Sequence, residues 1–190
     1  MMLLEIIVLI LAFGAIFTIV AWTIWTGSPP TPTSPKVYRS MITILPPRLP
    51  HVSDGRIYEL GAGWGGVSRL LADQFNPMLV VGIELSPLPF TVAWIRNLLA
   101  PKRNLRFRCV NFFKVELSDA ALVVCYLSRD ALIKLTPKLE DELAPEALIV
   151  SHTFRIPGWQ IIDTIRAPDL YRTPIYLYER SDAVARSSQS

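Results

Sequence analysis

Hydrophobic and polar positions divide the chain into three stretches of different rhythm. From Ile6 to Trp25, twenty residues carry no charge, and the run is apolar at every helical phase. At about 1.5 Å per residue such a helix is about 30 Å long, the hydrocarbon thickness of a bilayer. A core helix of a small domain would keep one polar face, so one transmembrane anchor is expected here. Next comes "TGSPPTPTSPK", with four prolines in seven residues. It favours extended polyproline II, a semi-rigid spacer. A second cluster, "LPPRLP", occupies residues 45–50, and "VYRSMITIL" between the clusters is expected to dock on the domain or on the membrane surface. The expected organisation is an anchor over 1–25, a linker over 26–50, a folded domain over 51–180 and a disordered tail over 181–190. The tail, "SDAVARSSQS", has little to bury.

Within 51–180 the pattern switches repeatedly between strand and helix periods. Strands are expected at 56–60, 78–85, 105–110, 121–127 and 147–154, and helices at 66–75, 89–100 and 129–143. Pro137 lies inside the third helix, where its missing N–H is expected to kink it. "QIIDTIRA" and "PIYLYER" read as two final strands, paired antiparallel. Alternation of this kind predicts an α/β fold with helices on both faces. The expectation is a Rossmann-like sheet of seven strands, mostly parallel with an antiparallel last strand, preceded by one transmembrane helix. Ligands of such sheets bind beyond the carboxyl ends of the strands. The loop after the first strand should therefore border the site.

That loop is "IYELGAGWGG", with Gly61, Gly63 and Gly65 alternating and Glu59 just before them. Glu84 ends the next strand, 23 positions after Gly61, where a carboxylate can accept from both hydroxyls of a ribose. Dinucleotide and S-adenosylmethionine sites share these features. Glu59 separates them. A pyrophosphate lies on the helix N-terminus, and a carboxylate there repels it. S-adenosylmethionine carries a sulfonium and an ammonium, which a carboxylate attracts. The domain is also short for a dehydrogenase, which usually needs a second domain for its substrate.

Composition narrows the function further. The chain is 51% hydrophobic and 18% charged, with net charge +3 and no basic run long enough for a nucleic-acid surface. Cys109 and Cys125 stand alone in apolar stretches and read as reduced packing residues; no Cys/His cluster suggests a metal. Before the anchor there is only Glu5, and after it come Lys36, Arg39 and Arg48. The missing basic n-region argues against a cleaved signal peptide. Trp22 and Trp25 suit the interface, and the charge bias places the domain in the cytoplasm.

From about 56 to 180 the chain resembles class I S-adenosylmethionine-dependent methyltransferases. "YELGAGWG" is similar to their first motif and "VVGIELS", which includes Leu85, to their second. After the third strand comes "RCVNFF". There the resemblance implies that Asn111 accepts from the adenine amino group, with Phe112 beside the ring. A closer resemblance lies in "LIKLTPKLEDELAPEALIVSHTFRIPGW". It is similar to the membrane-anchored protein-lysine methyltransferases of the ATP synthase c subunit and the adenine nucleotide translocase. This resemblance implies S-adenosylmethionine as cofactor, a lysine of a membrane protein as acceptor, and, for a bacterial relative, the inner membrane. The pattern departs at Trp64 and Asn111, where the family commonly has aspartate, and before the first motif. Past the fourth strand the chain reads Cys125, Tyr126, Leu127 and Ser128, not the Asp/Asn-Pro-Pro-Tyr of base-amino methylases. Tyr126 is placed in the methyl-transfer channel. His152 is placed as orienter or base, and Ser128, Phe154 and Trp159 in the substrate groove. A lipid, quinone or small-molecule acceptor, or a non-catalytic nucleotide-binding membrane scaffold, stays open.

Overall fold

The computed structural model describes residues 4–7, 9, 13–14, 33–49 and 55–181. Its centre is a seven-stranded sheet in the order β3-β2-β1-β4-β5-β7-β6. The strands are β1 (Arg56–Leu60), β2 (Val80–Ile83), β3 (Leu105–Arg108), β4 (Ala120–Cys125), β5 (Leu148–His152), β6 (Asp163–Arg166) and β7 (Pro174–Glu179). The first five are parallel, and β7 runs antiparallel to both β5 and β6. The expected sheet is thus present.

The central strands are buried on both faces, which is why they read as unbroken apolar runs. Every residue of β2, β4 and β5 is buried. Helices α1 (Pro35–Ile44), α2 (Gly66–Gln74) and α3 (Pro87–Leu99) cover one face, and α4 (Arg129–Glu142) covers the other. α4 presents Leu132, Leu135 and Leu139 to the core, all fully buried. Each such side chain contributes about 1.5–3 kcal/mol by leaving water. The helix is continuous across Pro137. Ile133, whose carbonyl that proline leaves without its helical partner, is exposed, so water can satisfy it.

Two expectations need correction. Residues 35–44, assigned to the Pro-rich linker, form a helix. Ser34 caps them, its hydroxyl accepting from the Val37 N–H at 3.3 Å, and proline is tolerated in the first turn. Val37, Met41 and Ile44 then form one buried stripe against the sheet. "VYRSMITIL" therefore docks on the domain. Cys109 is not a packing residue: the strand ends before it and its thiol is exposed, while Cys125 is fully buried. Among the described residues no helix is long and apolar enough to cross a membrane. Most of the expected anchor over 6–25, and the tail from 182, lie outside the described residues.

Candidate cofactor and acceptor site

β1 places Ile57 and Glu59 toward α2, and Tyr58 and Leu60 toward α4. Glu59 is therefore buried at the carboxyl end of the sheet, where it accepts from the Ser68 hydroxyl of α2. Burial pushes its carboxyl up to about 8, with Glu84 adding repulsion and Ser68 opposing the shift. The residue expected to attract cations is thus largely neutral at pH 7.

The glycine loop crosses above it. Gly61, Gly63 and Gly65 all take left-handed φ values, +75°, +53° and +75°. Glycine adopts these without steric cost. At Gly65 a Cβ would lie 2.6 Å from the Phe107 ring and 2.9 Å from the Ala93 methyl. At Gly63 nothing lies within 4 Å, so that backbone faces open space. Glu84, just past β2, braces the loop. Its Oε2 accepts from the Gly63 N–H and its Oε1 from the Ser86 N–H, both at 2.7 Å. Each carboxylate oxygen has a second lone pair for another donor. Leu85, beside it, is half-buried. The Trp64 side chain is half-buried on the cleft wall, and its carbonyl accepts from Arg96 of α3 at 3.2 Å.

Asn111 starts a short 3-10 turn over Phe112–Lys114, its Oδ1 accepting from the Phe113 N–H at 3.0 Å. Phe112 is half-buried and tilts against Phe113, with ring centroids 4.5 Å apart.

The register of β4 and β5 builds the other wall. Pairing of Cys125 with Ser151 brings Tyr126 beside His152 on one face. Their rings stack with centroids 4.0 Å apart at 23°. His152 is buried; its Nδ1 lies 3.2 Å from the Thr153 hydroxyl, and its Nε2 has no hydrogen-bond partner. Burial lowers its pKa to about 4, so the ring is neutral at pH 7. Tyr126 is partly exposed at the mouth.

One cleft collects Glu59, the loop from Gly61 to Trp64, Tyr126 and His152. Of the proposed groove residues, Ser128 caps α4, accepting from the Ala131 N–H at 3.3 Å. Trp159 is buried edge-on to Tyr178, and Phe154 is exposed beyond β5. None of the three lines this cleft. The cleft has a wall the sequence reading missed: Thr33, Tyr38 and Met41. Tyr38 packs over the loop, its hydroxyl 2.7 Å from where a Cβ on Gly66 would stand. The signal for it was present, since Ser34-Pro35 is a helix start and Val37, Met41 and Ile44 keep helical spacing.

Comparison with known proteins agrees with this geometry. The family described as the ANTKMT methyltransferase domain matches residues 59–163. A protein-lysine N-methyltransferase of Saccharolobus islandicus is 35% identical over 158 residues, 79% of this chain and 92% of that protein. The Mus musculus adenine nucleotide translocase lysine N-methyltransferase is 30% identical over 115 residues, 58% of this chain and 48% of that protein. Among solved structures, an RNA methyltransferase from Salinibacter ruber in complex with S-adenosyl-L-homocysteine superposes with a TM-score of 0.67. It is 26% identical, covering 80% of this chain and 95% of that one.

Proposed function

The chain belongs to the ANTKMT methyltransferase family and is an S-adenosylmethionine-dependent methyltransferase; we propose that it methylates the side-chain amine of a lysine in a membrane-associated protein. The observation that carries the lysine is the 35% identity to a protein-lysine N-methyltransferase along 92% of that protein's length. The membrane enters through the apolar run 6–25, which we read as a single-pass anchor with the domain on the cytoplasmic side. A tether raises the effective concentration of the domain toward membrane targets.

The residues fit the cofactor. Its two cationic groups suit a cleft containing Glu59, a buried carboxyl with one hydrogen-bonded partner. Its ribose suits Glu84, whose oxygens each keep a lone pair beyond the Gly63 and Ser86 amides. A close backbone approach is possible at Gly63, which faces open space. Asn111 and Phe112 would hold the adenine edge and face. When bound, the cofactor supplies a methyl group already activated on a sulfonium.

The protein then has to align a neutral amine for in-line displacement and keep competing water out. His152 is neutral and presents Nε2 as an acceptor for an amine N–H. Tyr126 stacks on it and holds its ring plane. An imidazole whose pKa is about 4 takes no proton from the amine at pH 7, so it orients the neutral amine and the product leaves as the methylammonium.

The test uses membranes from a deletion strain, incubated with the purified protein and labelled S-adenosylmethionine. Label in a protein band, mapped to methyl-lysine by mass spectrometry, is the expected result. Label confined to the lipid extract overturns the acceptor. Release of the protein from membranes by alkaline carbonate overturns the anchor.

A further inference from the structure

The helices on the two sides of the sheet differ in charge. α1, α2 and α3 carry Lys36, Arg39, Arg69 and Arg96 against one carboxylate, Asp73. α4, opposite, carries three cations and four carboxylates. From Leu85 to Val115 the chain has six cations and no Asp or Glu. Arg106 and Arg108 have a local explanation, since β3 is a sheet edge and charge there blocks edge-to-edge pairing.

The outward face of α3 has no such explanation. Trp94, Ile95, Leu98 and Leu99 follow i, i+1, i+4, i+5 spacing and form one stripe. They are 49%, 41%, 64% and 79% exposed. A surface helix ordinarily turns polar residues outward. Basic groups rim the stripe. The Arg69 guanidinium reaches the Ala100 carbonyl at 3.0 Å, beside Leu99, and Lys102 and Arg103 follow at once. Asp73 of α2 is paired with Lys102.

We propose that this side of the domain, through α3, lies on an anionic lipid surface. An amphipathic helix with an aromatic and aliphatic stripe and a basic rim suits the headgroup boundary. A single-stranded nucleic acid fits less well, because three of the four stripe residues are aliphatic and offer no stacking face. α1, the first described element after the apolar run in the sequence, packs on this same side. Residues 26–32 separate the run from Thr33, and at about 3.1 Å per residue they reach only about 22 Å. The inference needs this side to meet lipid; it does not need the apolar run to span the bilayer.

The test uses the full chain with Cys109→Ser and one polarity-sensitive label, at Leu98→Cys or, as control, at Ile133→Cys on α4. Cys125 is fully buried and escapes labelling. Vesicles are phosphatidylcholine alone or mixed with phosphatidylglycerol. The Leu98 label should shift to the blue and be quenched by brominated lipid with anionic vesicles only. The Ile133 label should stay silent, and Arg103→Glu should lower the Leu98 response severalfold. Equal responses at the two positions, or at Leu98 in both vesicle types, overturn the proposal. So does a Leu98 label already buried without lipid, or one that answers to an RNA oligonucleotide and not to vesicles. Sedimentation with neutral vesicles reads the anchor separately. Pelleting there with a silent Leu98 removes the α3 contact and leaves the anchor; the opposite pattern removes the anchor alone.

Discussion

Replacing Glu59 by glutamine tests the chemistry of the cleft most directly. The carboxyl is buried, hydrogen-bonded to Ser68, and held at about 8 against an ordinary 4.5. A folded-state pKa above the unfolded value means that the fold binds more protons between those two pH values, so stability falls as pH rises through the window. Below about pH 4.5 both states are protonated and there is no effect. Above about pH 8 the whole cost is present, about 5 kcal/mol at about 1.4 kcal/mol per pH unit. Glutamine keeps an acceptor for Ser68 and cannot ionise. Thermal denaturation from about pH 6.5 to 9 should therefore show the wild type losing stability up to about pH 8 while Glu59→Gln loses much less. His152, whose pKa burial lowers from 6.5 to about 4, adds stability as pH rises to about 6.5, below this range and alike in both proteins. Binding reads the same group with the opposite sign. A cation held beside Glu59 favours the carboxylate, so S-adenosylmethionine should expel roughly nine-tenths of a proton at pH 7. Calorimetry in two buffers of different ionisation enthalpy measures it, and the variant should release almost none. Wild-type and variant melting curves that run parallel across the window would refute the reasoning. So would binding without proton release.

Four further outcomes follow from the site. Glu84→Ala removes the acceptor of the Gly63 and Ser86 amides; at about 1.5–3 kcal/mol per charged hydrogen bond, cofactor affinity should fall roughly 100-fold or more by equilibrium dialysis. Gly65→Ala places a methyl against Phe107 and Ala93 at a left-handed φ and should lower stability by about 2 kcal/mol or more in urea titrations. Gly63→Ala meets open space, so it should cost about 1 kcal/mol of stability yet weaken cofactor binding. His152→Phe preserves a ring against Tyr126 and removes Nε2; single-turnover kinetics should show roughly a tenfold or larger drop in the methyl-transfer rate with cofactor affinity unchanged.

The parallel strands were legible because burial on both faces leaves unbroken apolar runs such as "ALVVC". The glycine loop was legible because its backbone demands show at Gly61, Gly63 and Gly65. Cofactor and enzyme class followed from these with Glu59 and Glu84, and the family from the segment that ends in Phe154, Pro157 and Trp159. Strand order was not legible, since pairings such as β1 with β4 join residues more than sixty positions apart. α1 was missed because the prolines around it dominate the local pattern, although Val37, Met41 and Ile44 keep helical spacing. The local contacts of the polar groups were not legible: Ser128 caps a helix and Asn111 caps a turn, and a sequence does not distinguish a capping residue from a ligand. The state of Glu59 could not be read either, because a pKa depends on burial and neighbours that no motif records.

Tyr38 leaning over Gly66 has a practical consequence for anyone trimming the chain. A fragment that begins at β1 would retain every strand and lose Thr33, Tyr38 and Met41 from the cleft. Its inactivity would then say nothing about whether the enzyme must sit in a membrane, because an incomplete pocket explains the loss equally well. The informative cut falls between Trp25 and Thr33, where the apolar run can be removed and the pocket wall kept.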